Sequence, residues 1–236
     1  MFAVIFEVQP KPSRWAVYLG LAKRLKPDLE RVDGFIDNER FASKRHEGRL
    51  LSLSTWRDEK AVIRWRSAGF HHEVQETGRR EIFENYHLRV GEISADTHVP
   101  AGQSLAQQRF DATEIAPTKA VTISELSPAE GGATPSADLA AMLGAPIPGT
   151  AGIVAIETFE SIYAPGKLLL LAAWIDEAAA QGWTPRRPPA GTLRHRQVRI
   201  IRDYGMFDRR EAPQYHPEAK PAHEADWQAR ARALGF

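Results

Sequence analysis

Two stretches of this chain repeat each other: RLLSLSTWRDEKAVIRW at 49–65 and KLLLLAAWIDEAAAQGW at 167–183. Each is an apolar run that ends in a tryptophan, followed by an aspartate and then by a helical pattern with a second tryptophan. At one constant offset the match extends without a gap from Ile5 to Trp65, which fall on Ile123 and Trp183. Self-similarity over this length indicates a tandem duplication.

The duplication divides the chain into four parts. We predict a first domain at 1–100, a linker at 101–118, a second, degenerate domain at 119–208 and a C-terminal arm at 209–236. The stretch PAGQSLAQQRFDATEIAP between the copies is polar and bounded by prolines, which is typical of a linker. Prolines in the C-terminal part predict an extended arm of the kind that wraps a partner domain or subunit, so a homo-oligomer is one expectation.

The first copy has the pattern of a small α+β unit. Alternating residues predict strands, and an apolar stripe predicts the first helix. Asp58 is a good N-cap for the second helix. The predicted elements are a strand at 2–8, a helix at 14–30, strands at 36–43 and 49–56, a helix from 58 to about 80, and a strand at 86–95. This β-α-β-β-α-β order is ferredoxin-like, and the second copy repeats it, so the predicted fold class is α+β with two tandem ferredoxin-like units.

The copies diverge in their second helices. The prolines of TPRRPPAG, which follows Trp183, end any long helix there. Matching His87 to His195 requires a shorter offset, so the second copy lacks about ten residues. The missing part is the one that carries His71 and His72 in the first copy.

The copies also diverge in their strands, where the first copy keeps polar residues. Asn38, Ser52 and Ser54 correspond to apolar residues in the second copy: Ile156, Leu170 and Ala172. Polar groups on a half-buried strand need partners or a wet cavity. Two interpretations follow: either the first copy has a polar pocket that the second has filled, or the first copy exposes this face to solvent.

The second helix supplies the candidate catalytic residues. Trp65 and His72 are seven residues apart, so they share one helix face with Gln75. A neutral imidazole can take up a proton near pH 7, and an indole can stack on an aromatic substrate. We therefore predict His72 and Trp65 as catalytic, and Asn38, Ser52, Ser54 and Gln75 as substrate-binding. The alternative is that His72 only packs the helix against the sheet, while His71 is expected to be solvated.

Repeated carboxylates leave two interpretations open. Glu7 and Glu39 recur as Glu125 and Glu157. They either serve a function kept in both copies or pair with arginines along the seam between the repeats. Trp56 is predicted to be a core residue, because a tryptophan repeated at the end of a strand is typical of a core.

Composition narrows the function classes. The chain has 43% hydrophobic and 26% charged residues, a net charge of +1 and no cysteine. Nothing in this balance favours nucleic acid or a membrane as a partner. The sequence lacks metal-ligand spacings, a dinucleotide-binding fingerprint, a phosphate loop and a nucleophile elbow. We therefore expect no cofactor and no metal. The apolar run at 168–175 is too short to span a bilayer, and the first residues lack the basic region of a signal peptide, so we expect a cytoplasmic protein.

The first copy resembles the antibiotic biosynthesis monooxygenase family. The pattern is a strand, Trp-x-Asp, a helix with a tryptophan and a histidine, Gly-Arg, an aromatic residue and a strand; it is carried by Trp56, Asp58, Ala61, Trp65, His72, Gln75, Gly78, Arg79, Phe83 and Tyr86. The resemblance covers 2–95 and, more faintly, 120–204. It implies the dimeric α+β barrel, in which two ferredoxin-like sheets face each other, and the tandem repeat would supply both halves as a pseudo-dimer.

The resemblance also implies a class of reaction. Members of the family include monooxygenases without a cofactor that oxidise electron-rich phenols or quinols, haem-degrading enzymes and proteins with no assigned activity. Gln75 stands where the haem-degrading branch is expected to have its iron-binding histidine, and Glu7 near the place of its asparagine, which counts against haem breakdown. The resemblance thus implies a monooxygenase acting on a small aromatic molecule. The alternative is a non-catalytic module of the same fold that binds a small molecule or a partner chain.

Overall fold

The structure, a computed structural model, describes residues 1–129 and 138–213. The first half contains β1 (Phe2–Pro10), α1 (Trp15–Glu30), β2 (Phe35–Ser43), β3 (Leu50–Trp56), α2 (Glu59–Ser67), α3 (Gly69–Thr77) and β4 (Phe83–Asp96). The second half contains β5 (Ala120–Ser127), α4 (Leu139–Leu143), β6 (Ile153–Ser161), β7 (Leu168–Trp174), α5 (Glu177–Gln181) and β8 (Thr192–Gly205). A single 3-10 turn precedes α1, and a π-helical turn at Gly78–Ile82 links α3 to β4.

The strands form one closed antiparallel barrel in the order β1-β3-β2-β6-β7-β5-β8-β4. Each repeat contributes four adjacent strands, and the repeats meet where β2 pairs with β6 and where β4 pairs with β8. The prediction of two ferredoxin-like units in an α+β barrel is confirmed, and the barrel closes within a single chain. The division into separate domains stays a prediction, because both halves share one sheet.

Strand register confirms the duplication and corrects one detail of it. Trp56 lies opposite Phe2 in the first repeat, and Trp174 lies opposite Ala120 in the second. In the last strands, however, His87 lies opposite Glu7, whereas it is Arg194 that lies opposite Glu125. The expected match of His87 with His195 is therefore wrong by one residue. In a strand, a shift of one residue moves a side chain to the opposite face of the sheet.

Apolar side chains from both repeats fill the inside of the barrel. The fully buried members include Ile5, Phe41, Leu51, Ile123, Phe159 and Leu169. The outer faces are covered by helices, with α1 to α3 on the first repeat and the two short helices on the second. Since β-strand side chains alternate between the two faces, each strand has one face towards the barrel core and one towards the helices.

Two of the four repeated carboxylates, Glu39 and Glu157, lie where β2 and β6 meet. Glu39 accepts a hydrogen bond from Ser161 at 2.6 Å and pairs with Lys167, both from the second repeat. Symmetrically, Glu157 accepts a hydrogen bond from Ser43 and lies 2.9 Å from His46, both from the first repeat. The seam interpretation therefore fits Glu39 and Glu157, although Glu39 pairs with a lysine rather than an arginine. Glu7 and Glu125 do pair with arginines, Arg89 and Arg196, but within their own repeats.

The chain between the repeats has no helix or strand at 101–118. It follows the barrel closely: the Thr113 amide donates to the Ile200 carbonyl at 2.8 Å, and Arg109 pairs with Glu59 at 2.8 Å. The start of the predicted C-terminal arm also contacts the barrel, since Glu211 accepts hydrogen bonds from Thr113 and from the Asp203 amide, both at 2.7 Å. The rest of the arm, at 214–236, lies outside the described residues.

Candidate active site

A cavity of about 560 Å³ lies between the outer face of the first-repeat strands and helices α1 to α3. The second repeat contributes to it as well, because Arg202 and Tyr204 of β8 lie on its wall beside β4. Arg209, Ala212 and Pro213, at the start of the C-terminal arm, line another part of it. The cavity is thus assembled from the first repeat, the last strand of the second repeat and the segment that follows.

One end of the cavity is aromatic. The rings of Phe6 and Phe83 are 5.8 Å apart, those of Tyr18 and Phe83 are 5.6 Å apart, and those of Phe6 and Tyr86 are 5.7 Å apart. The Tyr86 hydroxyl accepts a hydrogen bond from Arg209. Edge-to-face and tilted ring packing of this kind gives a rigid apolar wall with hydroxyl groups at its border.

The three polar strand residues face this cavity. The Asn38 side-chain amide donates to the Ser52 hydroxyl at 3.1 Å and to the Leu53 carbonyl at 3.0 Å. Ser54 accepts a hydrogen bond from the indole of the buried Trp56 at 2.9 Å. The pocket interpretation of these residues therefore fits the structure, and the solvent-exposed interpretation does not, because all three line the cavity.

The helix predicted from 58 to about 80 is broken at Ala68. Asp58 caps its start as expected, accepting a hydrogen bond from the Ala61 amide at 2.8 Å. Ala68 is extended, with ψ of 123°, and α3 begins directly after it at Gly69, a residue type that disfavours helix interiors. The break leaves the Trp65 carbonyl to be satisfied by the Ala68 amide at 3.2 Å and by the His71 ring at 2.9 Å.

His71 is not solvated, and that expectation is wrong. Because α3 starts in a new direction after the break, the His71 ring stacks on the Trp65 indole, with centroids 4.1 Å apart and planes 16° apart. Burial lowers the pKa of His71 to about 4, so the ring is neutral at pH 7 and its Nδ1–H donates to the Trp65 carbonyl. One face of the Trp65 indole is therefore covered, which leaves its other face and its edge for a ligand.

His72 and Gln75 line the same cavity as Trp65. The break puts Trp65 in α2 and the other two residues in α3, so the three do not share one helix face as predicted, yet all of them reach one space. Partial burial lowers the pKa of His72, while Glu76 and Glu73 oppose this shift. His72 is therefore mainly neutral at pH 7 and able to accept a proton. The cavity brings together all six predicted residues, and their roles stay predictions.

Several charged wall residues were not predicted from the sequence, and Arg40 is the buried one among them. It is buried in β2 and lines the cavity next to Ser52, its partner across the strands. The alternation of strand side chains provides the signal, since residues 38 and 40 share one face. The wall residues from β8 had no comparable signal, because they are more than a hundred residues away in the chain.

The second repeat fills the equivalent space with side chains. Trp183 packs against Trp174, with ring centroids 5.8 Å apart, and its indole donates to the Gly144 carbonyl at 3.1 Å. Its edge contacts His195, whose Nδ1 lies 2.8 Å from the Ser124 hydroxyl and whose pKa is lowered to about 4 by burial. The two helix tryptophans of the repeats thus differ in environment: Trp65 lines a cavity and Trp183 belongs to a packed core.

Within the described residues, no group of three or more histidine, aspartate or glutamate side chains is arranged to hold a metal ion. None of the helices in the same two ranges, 1–129 and 138–213, is long and apolar enough to cross a membrane.

A barrel of two ferredoxin-like units, with a cavity between its outer face and its helices, defines the dimeric α+β barrel class. The sequence model of the family described as "Antibiotic biosynthesis monooxygenase" matches residues 1–77. Jasmonate monooxygenase ABM from Pyricularia oryzae is 39% identical over 223 residues, which cover 93% of this chain and 100% of that protein. The chain therefore belongs to the antibiotic biosynthesis monooxygenase family.

Solved structures give weaker similarities. An anthrone oxidase-like protein aligns with 90% of this chain and 96% of its own, at 12% identity and a TM-score of 0.35. A crystal structure of an antibiotic biosynthesis monooxygenase aligns with 38% of this chain and 95% of its own, at 14% identity and a TM-score of 0.35. Similarities at this level carry no information on substrate.

Proposed function

We propose that this chain oxidises a small, mainly apolar molecule in the first-repeat cavity, without a resident metal or organic cofactor. The observation that carries the proposal is the cavity itself, which combines aromatic walls with His72 in a member of a monooxygenase family. The second repeat, whose equivalent space is filled, completes the barrel and supplies part of the cavity wall.

His72 is proposed as the group that activates the substrate. For a phenol or quinol, its neutral imidazole takes the proton of the ring hydroxyl and leaves an electron-rich anion, which reacts with O2. For a phenol, one ring C–H becomes C=O, one oxygen atom stays in the quinone and the other leaves as water. The substrate then supplies all four electrons that reduce O2, so this reaction needs no external reductant.

Two substrate classes follow from different observations. The aromatic end of the cavity, with Phe6, Tyr18, Phe83 and Tyr86, favours phenols and quinols. The printed name of the fungal relative makes jasmonate the second candidate. Hydroxylation of an aliphatic carbon takes up two electrons from an external reductant, so dependence on a reductant distinguishes the two reactions.

The test measures O2 consumption by the purified full-length protein with a panel of phenols and hydroquinones and with jasmonate, each with and without NADPH. Products formed under ¹⁸O2 are analysed by mass spectrometry. We expect O2 uptake in step with product and one labelled oxygen atom per product molecule. If no substrate in the panel is consumed, and binding is nevertheless detected, the non-catalytic binding module is the correct alternative.

A further inference from the structure

Arg40 is a buried cation on the wall of the cavity. Its side chain is 9% exposed and shares a strand face with Asn38, next to Ser52 and near the Tyr18 hydroxyl. In the described part of the chain, no carboxylate forms an ion pair with Arg40. Removing a guanidinium from water is costly unless an anion compensates it.

The other two buried arginines show how this chain compensates such charges. Arg89 pairs with Glu7, and Arg196 pairs with Glu125, both inside the barrel. In all three arginines Nε has no hydrogen-bond partner among the described residues. Arg40 differs from the other two because no carboxylate within 1–129 or 138–213 pairs with its terminal guanidinium nitrogens.

The carboxylates on the cavity wall are already paired. Glu59 pairs with Arg109 at 2.8 Å, and Glu76 pairs with Arg79 at 2.7 Å. Neither forms an ion pair with Arg40. The cavity is therefore apolar over most of its surface, and Arg40 is the buried arginine on its wall; the other lining arginines, Arg66, Arg79, Arg202 and Arg209, are more exposed.

The second repeat lacks this arginine together with the cavity. The position equivalent to Arg40, opposite Ser52 in the first repeat, is held by Thr158, opposite Leu170. A purely structural arginine would be expected in both halves of the barrel, as Arg89 and Arg196 are, because these two lie at equivalent positions opposite Ile5 and Ile123.

We propose that Arg40 anchors the carboxylate of the substrate, so that the cavity takes small apolar monocarboxylates. The guanidinium supplies two parallel N–H donors to the carboxylate, and the aromatic and aliphatic walls hold the rest of the molecule. This inference rests on the proposed function for the location of the substrate and adds its chemical class. Jasmonate, the anion of a carboxylic acid, belongs to this class.

The test compares acids with their neutral methyl esters in a binding assay on the full chain. Isothermal titration at pH 7.5 measures jasmonate against methyl jasmonate and phenylacetate against methyl phenylacetate, for the wild type and for Arg40→Gln. We expect the wild type to bind at least one acid about 10- to 100-fold more tightly than its ester. Arg40→Gln should lose this preference and bind the ester as the wild type does.

Arg45→Gln is the matched control. It removes the same charge, but from an exposed position in the loop that follows the same strand. It should keep the preference for the acid. Thermal unfolding adds a readout of folding: Arg40→Gln should be at least as stable as the wild type, since it removes a buried charge without a carboxylate, whereas Arg89→Gln should be less stable because it leaves Glu7 alone.

Equal affinity for acid and ester in the wild type, or an unchanged preference in Arg40→Gln, overturns the inference. Failure of the proposed function gives a different result. If acids bind in an Arg40-dependent way but no O2 is consumed, Arg40 still anchors the carboxylate and the proposed oxidation is wrong. If O2 is consumed and esters are as good substrates as acids, only the role of Arg40 is wrong.

Discussion

Replacing the two equivalent helix tryptophans tests whether one repeat holds a cavity and the other a packed core. Trp183 is 7% exposed, contacts Trp174 and His195, and donates to the Gly144 carbonyl. Trp65 is only partly buried and has the cavity on one side. Trp183→Ala and Trp65→Ala remove the same side chain from these two environments.

The expected losses differ by a factor of about three. Truncation of a tryptophan in a packed core costs about 3–5 kcal/mol, since a new cavity forms and the Gly144 carbonyl loses its donor. Truncation of Trp65 enlarges a space that is already open and removes less buried area, so its cost should be about 1–2 kcal/mol. For a chain of this size the corresponding falls in Tm are about 10 °C for Trp183→Ala and about 3 °C for Trp65→Ala.

The measurement is urea unfolding followed by far-UV circular dichroism, with thermal unfolding as a second readout. Ligand binding provides the complementary control, because Trp65→Ala should weaken it and Trp183→Ala should leave it unchanged in the folded protein. If Trp65→Ala destabilises the protein as much as Trp183→Ala does, Trp65 is a core residue and the contrast between the repeats is refuted.

Three further predictions concern the same two regions. His72→Ala should slow turnover about 10²–10⁴-fold, whereas His195→Ala should leave it unchanged. Because the neutral ring of His72 is the base and its pKa is lowered, wild-type kcat should fall only as the pH drops below 6.5, which steady-state kinetics over a range of pH will measure. Asn38→Ile with Ser52→Leu, the residues of the second repeat, should abolish ligand binding in calorimetry without lowering Tm. The free energy of unfolding should fall between pH 6.5 and pH 4, because burial lowers the pKa of both His195 and His71 to about 4 and the unfolded state protonates these rings first. Each ring accounts for up to about 3 kcal/mol, and His195→Asn should remove only the His195 share; a pH dependence unchanged in the variant contradicts this.

The sequence by itself determined the repeat, the order of elements and the class of barrel. These depend on local information: alternating and helical periodicities, the Asp58 cap, the prolines after Trp183 and the constant offset that carries Trp56 onto Trp174. It also placed Ser52 and Ser54 on one face of their strand, because side-chain alternation is a property of the backbone. Within the first repeat, every predicted site residue lies on the cavity wall.

Only the tertiary structure decided how that wall is completed. The break at Ala68 brings His71 onto the Trp65 indole. The helical periodicity of the sequence does not predict this change of direction. Closure of the barrel sets β8 beside β4, with Tyr204 opposite Leu88, and so brings Tyr204 into the first-repeat cavity. The physical reason is that the neighbours of a side chain across a sheet are set by pairing between distant strands, whereas a sequence pattern reports the backbone only over a few residues.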